Sequence, residues 1–343
     1  MTTPSSTGPS TTSPTSPTSP TSPTTASPSA TGPSTTSPAM ARAAATRPPL
    51  TRLVRAEIFK LRTTSMWWLF AAATVLSTAI MLVVDCVSAH SLLKPFDQYV
   101  LLERHGHNGG PIPAEFLARM KGEWELGHNV VTQAATIYTA GQLIGVLLAC
   151  LLGIVLITSE YHHQTATTTF LLTPRRSRVV AGKLGTAILM AGLFWLVSTV
   201  LSVVAGAIFL HGEGYGTQLG HWGVIRAILL NLAAYAIWAV FGVGFGALVR
   251  SQLGATVAAT VLYLIGATAA SSVFDLLYTY AIKKDWILTA QVVVPAVASN
   301  VMISPTRTFD QSPPQWVGAA ILIGYGIVAG AVGTAILRRR DVA

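Results

Sequence analysis

Residues 227–249 read AILLNLAAYAIWAVFGVGFGALV, 23 residues without an Asp, Glu, Lys or Arg. A helix rises about 1.5 Å per residue, so about 20 residues cross a hydrocarbon core roughly 30 Å thick. A helix of a water-soluble domain keeps charge on its solvent face, and this run has none. Five more runs share the property: 66–84, 137–158, 186–210, 254–274 and 316–337, each 19 residues or longer. The sequence therefore reads as an all-α polytopic membrane protein with six transmembrane helices. That class confines the function to transport, signalling or chemistry within the membrane.

The rest of the composition agrees. Of 343 residues, 51% are hydrophobic and 10% charged, against about 25% charged in soluble domains. The net charge of +9 is unevenly spread. Fourteen of the 22 Lys and Arg residues fall in the N-terminal region, the segment after the second run, Arg250 and the tail Arg338, Arg339 and Arg340. Ten of the 13 acids fall on the other set of connections, among them Asp85, Asp97, Glu103 and Asp275. Basic segments stay cytoplasmic because they translocate poorly and are held by anionic lipid. Six spans with both termini inside satisfy this asymmetry. A dense basic face with interleaved aromatics is absent, so nucleic acid is not an expected partner. Cys86 sits at the outer end of the first run and Cys150 well inside the second, too far apart in depth to pair.

Residues 1–48 form a separate Ser/Thr/Pro-rich tail, almost entirely Ser, Thr, Pro, Gly and Ala over 1–40, with a TSP repeat from Thr15 to Pro23. Such a segment buries too little apolar area to offset chain entropy and is expected to be disordered. No signal peptide is read ahead of the first run. The membrane-spanning region is 49–343. It opens with LTRLVRAEIFKLR, residues 50–62, where Leu50, Leu53, Val54, Ile58 and Leu61 share one helical face and Arg52, Arg55 and Arg62 the other. This predicts an amphipathic helix lying in the membrane interface. The loop 85–136 is expected outside, with a short helix at AEFLARMKGEWEL presenting Phe116, Leu117, Met120 and Trp124 to the outer membrane surface. Residues 286–301 are semi-apolar but interrupted by Pro295. They read as a re-entrant or interfacial segment, because a seventh span would put Arg338, Arg339 and Arg340 outside. GxxxG spacing occurs at Gly141 and Gly145, Gly242 and Gly246, and Gly326 and Gly330. Glycine lets helix backbones approach closely where lipid offers no hydrophobic drive.

The apolar runs carry no ionisable relay of the sort that ion-coupled transporters place at membrane depth. Their polar groups are Gln142, Asn231, Tyr235, Tyr263 and scattered Ser and Thr. These read first as interhelical hydrogen bonds and second as ligands along a pathway. Nucleotide, zinc-peptidase and serine-hydrolase motifs are absent, and Gly182-Lys183 lacks the other residues of a phosphate loop. No catalytic residue, cofactor or metal is assigned to this chain. His105 and His107 beside Glu103 have the residue types for a metal, but a solvated loop is the better reading.

The most specific stretch is SEYHHQTATTTFLLTPRRSRVVAGKL, residues 159–184. It carries an acid at the membrane exit, an apolar knob at Phe170, Leu171 and Leu172, and a basic cluster. Apolar residues rimmed by charge suit a protein contact. Two features together resemble the permease subunit of bacterial type-2 ABC exporters in their actinobacterial form. One is Arg55-Ala56-Glu57-Ile58-Phe59-Lys60-Leu61-Arg62-Thr63-Thr64 ahead of the first run. The other is Glu160-Tyr161, then Thr165, then Leu171-Leu172-Thr173-Pro174-Arg175-Arg176 and Lys183. Gln164 departs from the pattern, where the family commonly has Gly.

The resemblance implies a partner subunit that binds ATP and Mg and contacts Glu57, Lys60, Glu160, Tyr161, Thr165, Leu171, Leu172, Pro174, Arg175 and Arg176. It also implies a second permease chain, a bacterial plasma-membrane location and export of a drug-like, antibiotic or lipid-like substrate. Two rival classes remain open. One is a membrane anchor or sensor that binds partners through its loop and tail. The other is a membrane-embedded enzyme using the outer histidines.

Overall fold

The computed structural model describes residues 50–64, 66–105, 113–162, 176–249, 251–284, 286–309 and 311–339. The tail 1–48 lies outside these residues. The described residues are helices joined by short connections, with no strand among them. In chain order the helices are α1 (Leu50–Thr63), α2 (Met66–Leu92), α3 (Phe96–His105), α4 (Ala114–Gly127), α5 (Val130–Tyr138) and α6 (Gln142–His162). They continue with α7 (Arg176–Gly212), α8 (Trp222–Val249), α9 (Gln252–Leu277), α10 (Trp286–Ala290), α11 (Pro295–Ile303) and α12 (Gln315–Arg339).

Among the described residues, five segments are long and apolar enough to cross a membrane: α2, α5 with α6, α7, α8 and α12. Two bent pairs bring the number to at most seven. One is α9 with its continuation, bent by 45° between Gly266 and Ser271; the other is 286–293 with α11, bent by 100°. The outward faces are apolar, with Leu76 and Ile208 exposed at 64% and 71%. Apolar surface on this scale is unfavourable in water and suits lipid.

The helices run well past the apolar runs in the sequence. α2 continues to Leu92, so Asp85 lies within the helix and not in a loop. The second apolar segment begins at Val130, where Asn129 caps the helix by accepting from the Val131 and Thr132 amides at 2.9 and 3.2 Å. α7 begins at Arg176 and carries Lys183 one turn ahead of the third apolar run. A charged residue ends an apolar run, but backbone hydrogen bonding continues through it.

α8 is the central helix and touches α5, α6, α7, α9, α11 and α12. Its glycines set how close the others come. A Cβ on Gly242 would lie 2.0 Å from the Cys150 carbonyl oxygen of α6, and one on Gly153 would lie 2.4 Å from the Ala239 carbonyl oxygen of α8. The GxxxG pair Gly242 and Gly246 therefore serves contact within this chain. Cys86 and Cys150 are both free thiols.

α11 runs antiparallel to α12, from Val293, whose carbonyl accepts from the Tyr325 hydroxyl at 3.1 Å, to Ser304, whose carbonyl accepts from the Gln315 amide. Ten residues of α12 separate these contacts, about 15 Å of rise. The 286–303 segment is thus two short helices bent by 100° at Pro295, the second lying along α12. α4 behaves differently from expectation. Met120 is buried, and the Trp124 indole donates to the Lys94 carbonyl at 2.9 Å while its ring meets Phe96 edge-on at 5.6 Å. Met120 and Trp124 thus pack on the α2–α3 corner, which offers apolar area and an acceptor for the indole N–H, while Phe116 stays exposed.

Candidate functional site

The polar residues read from the sequence converge on the break between α5 and α6. The Gln142 side-chain amide donates to the Ser299 hydroxyl of α11 at 2.8 Å, and the Trp238 indole approaches the same hydroxyl at 3.4 Å. Tyr263 meets Trp238 edge-on, with ring centroids 4.9 Å apart. The Tyr235 hydroxyl donates to the Gly141 carbonyl at 2.9 Å and lies 3.4 Å from the Ser198 hydroxyl of α7. Three of the four residues thus tie helices together: Gln142 and Tyr235 by hydrogen bonds, Tyr263 by its ring. The Gly141 carbonyl also accepts from the Gly145 amide at 2.9 Å, so the tyrosine uses its second lone pair. A Cβ on Gly141 would lie 2.1 Å from Ser198 Oγ and 2.5 Å from Thr78 Oγ1, so glycine admits three helices at one point.

Asn231 differs. It is fully buried, and neither its amide nitrogen nor its amide oxygen has a partner among the described residues. It lies one turn from Tyr235 on α8. Ser202, one turn from Ser198 on α7, and Thr78 on α2 are also buried without partners among the described residues. A buried amide without a partner costs free energy, so Asn231 is a polar weak point in an apolar bundle.

The residues expected at a partner contact divide into two groups. Glu57 and Lys60 lie on α1. Glu57 is buried and accepts from Lys183 Nζ at 3.2 Å, while Lys60 lies 3.5 Å from the other Glu57 oxygen. Lys183, 3% exposed, also donates to the Leu156 carbonyl of α6 at 3.2 Å. One ammonium therefore joins α1, α6 and α7. Gly182 and Gly185 allow the crossing, since added Cβ atoms would meet Leu53 and Val54 at 3.2 and 3.3 Å. Leu61 is buried on the same face of α1. Glu160 and Tyr161 fall in the last turn of α6 and Arg176 opens α7. Thr165, Leu171, Leu172, Pro174 and Arg175 lie outside the described residues.

A pocket of about 260 Å³ opens between α2, the α5–α6 break and the end of α11. Its lining includes Asp85, Thr139, Gln142, Asn300 and Ser304. Sequence reading assigned Asp85 to a loop and gave Ser198, Trp238, Ser299 and Asn300 no role. For Lys183 the signal was present: a cation between two glycines at the start of an apolar run.

His105 ends α3, and His107 lies outside the described residues. Among the described residues, no three His, Cys, Asp or Glu side chains gather to hold a metal. No protein-family model matches the sequence, and comparison with curated proteins finds no match.

Proposed function

We propose that this chain is the membrane-spanning permease subunit of an ATP-driven exporter in a bacterial plasma membrane, with six spans and both termini cytoplasmic. In this reading α9 is a single bent span and the 286–303 segment is re-entrant. The observation that carries the proposal is the docking of α1. An amphipathic helix is held to the start of α7 by a buried ion pair, at the end of the bundle where the 163–175 segment connects α6 to α7. A helix fixed there moves with α6 and α7, so a force applied to it by a partner is passed to the spans. The chain carries no phosphate loop of its own, so ATP and Mg belong to a separate subunit. A second permease chain completes the pathway, and the cargo is drug-like, antibiotic or lipid-like.

Orientation is tested by single cysteines at Ser177 and Asn108, with Cys86 and Cys150 replaced by Ala. On intact cells an impermeant thiol reagent should label Asn108→Cys and spare Ser177→Cys. Labelling of Ser177→Cys from outside overturns the orientation.

Coupling is tested at the loop. Burial of one Leu contributes about 1.5–3 kcal/mol, so Leu171→Asp with Leu172→Asp should remove most of a docking contact. The double variant should insert normally, lose its ATP-binding partner on purification and show no substrate-stimulated ATPase. Arg175→Ala should be milder, since exposed ion pairs contribute about 0–1 kcal/mol. Partner recovery at wild-type yield would show that the loop is not the dock. If the native chain brings down no ATP-binding protein in mild detergent, the anchor or sensor reading replaces transport.

A further inference from the structure

We infer that the pocket between α2, the α5–α6 break and α11 is a binding site for the protonated amine group of an organic ligand. Asp85 lines it from α2, directly after the last residue of the first apolar run and one turn after Met81, which also lines it. The Asp85 carboxylate is half-buried and has no hydrogen-bond or ion-pair partner among the described residues. Among the described lining residues it is the one ionisable side chain. The other polar groups are neutral: Gln142 and Asn300 amides, and the hydroxyls of Thr139 and Ser304. Gln142 is 5% exposed and is held by Ser299, so one wall of the pocket is rigid and polar.

Charge, donors and size together select the ligand. A single carboxylate balances a single positive charge. The surrounding amide and hydroxyl oxygens accept hydrogen bonds from an ammonium, which has donors and no acceptor. About 260 Å³ is several times a water molecule's share of roughly 30 Å³ and too roomy to cage a bare alkali ion. A pocket of this size falls below the usual range of about 300–1,000 Å³ for whole drug-sized ligands. It takes a head group and leaves the rest of the ligand outside. The exposed Val84 and Val87 of α2 flank the position with apolar surface for such a remainder. Two sources share this chemistry: the ethanolamine head of a phospholipid and a free amphipathic amine. That the ligand is also the cargo rests on the transport reading; its binding does not.

The test uses the full chain in phosphatidylcholine nanodiscs, without ATP or partner, and a fluorescent primary amine, monodansylcadaverine, as probe. Saturable binding is expected, weakened at least about tenfold by Asp85→Asn, because a charge-assisted hydrogen bond becomes a neutral one. The N-acetylated probe, which has no charge, should bind no better to wild type than to the variant. Asn300→Leu should weaken the amine as well, which separates pocket binding from a general charge effect. Competition by added phosphatidylethanolamine assigns the head group as the ligand, and lack of competition assigns a free amine. Equal binding of both probes by wild type and Asp85→Asn, with matching elution profiles and melting temperatures, overturns the inference. That result leaves the exporter reading untouched, and a missing ATP-binding partner leaves the amine site untouched.

Discussion

Gly242→Val is expected to abolish recovery of the folded chain as a single species. At this point α6 and α8 are in backbone contact. A Cβ would lie 2.0 Å from the Cys150 carbonyl oxygen and 2.7 Å from its carbonyl carbon. Neither atom belongs to a side chain that can swing aside. The helices must separate, and the separation spreads to Gly153, whose own Cβ would meet Ala239 at 2.4 Å. Overpacking a core commonly costs about 1–3 kcal/mol, and more where backbone must shift. A loss at or above the top of that range consumes much of a typical stability of about 5–15 kcal/mol. The control is Gly324→Ala on α12, where an added Cβ meets nothing within 4 Å. It should be neutral or gain up to about 1 kcal/mol through helix propensity. Size-exclusion profiles after a temperature ramp in detergent separate the two. A melting temperature for Gly242→Val equal to wild type would mean that the α6–α8 contact is looser than the structure has it.

The second large effect is expected at Lys183. Among the described residues, Lys183→Met leaves buried Glu57 with the more exposed Lys60 as its ion-pair partner. Breaking one side of a buried pair typically costs about 3–5 kcal/mol. Because Lys60 still reaches Glu57, the lower end applies, about 3 kcal/mol. That is roughly a hundredfold in the docking equilibrium of α1. Amide exchange in residues 50–63 should therefore rise sharply while α6 and α8 stay protected. Adding Glu57→Leu to Lys183→Met should restore much of the protection, since an apolar pair in place of a buried ion pair is often close to neutral. In the exporter reading the single variant should also uncouple ATPase activity from transport. Unchanged exchange in α1 after Lys183→Met would show that Leu61 and its apolar neighbours hold the helix without the ion pair.

The apolar runs determine a helical membrane chain because backbone groups in lipid have no water to bond and must pair within the segment. That rule needs nothing from the rest of the molecule, so the helices at 66–84, 186–210, 227–249 and 316–337 were readable one by one. Pro295 likewise announced the bend in the 286–303 segment, since proline lacks the amide that would continue the first helix. The residues of α1 announced an amphipathic helix by their spacing.

Partners were not readable in this way. Glu57 and Lys183 are 126 positions apart, and Gln142 and Ser299 are 157 apart. Glycine spacing showed that helices approach closely, yet only the packing of α8 against α6 and α12 assigned Gly242 and Gly244 to neighbours within the chain. Asp85 is the plainest case. In the sequence it ends an apolar run and reads as loop. In the structure α2 carries it onward, and α11 closes over it to make a pocket. Local hydrogen bonding and hydropathy determine where helices form, while the meeting of distant side chains depends on how the helices pack. The membrane class and most of its helices therefore belong to the sequence. The buried ion pair, the polar junction at the α5–α6 break and the Asp85 pocket belong to the tertiary structure.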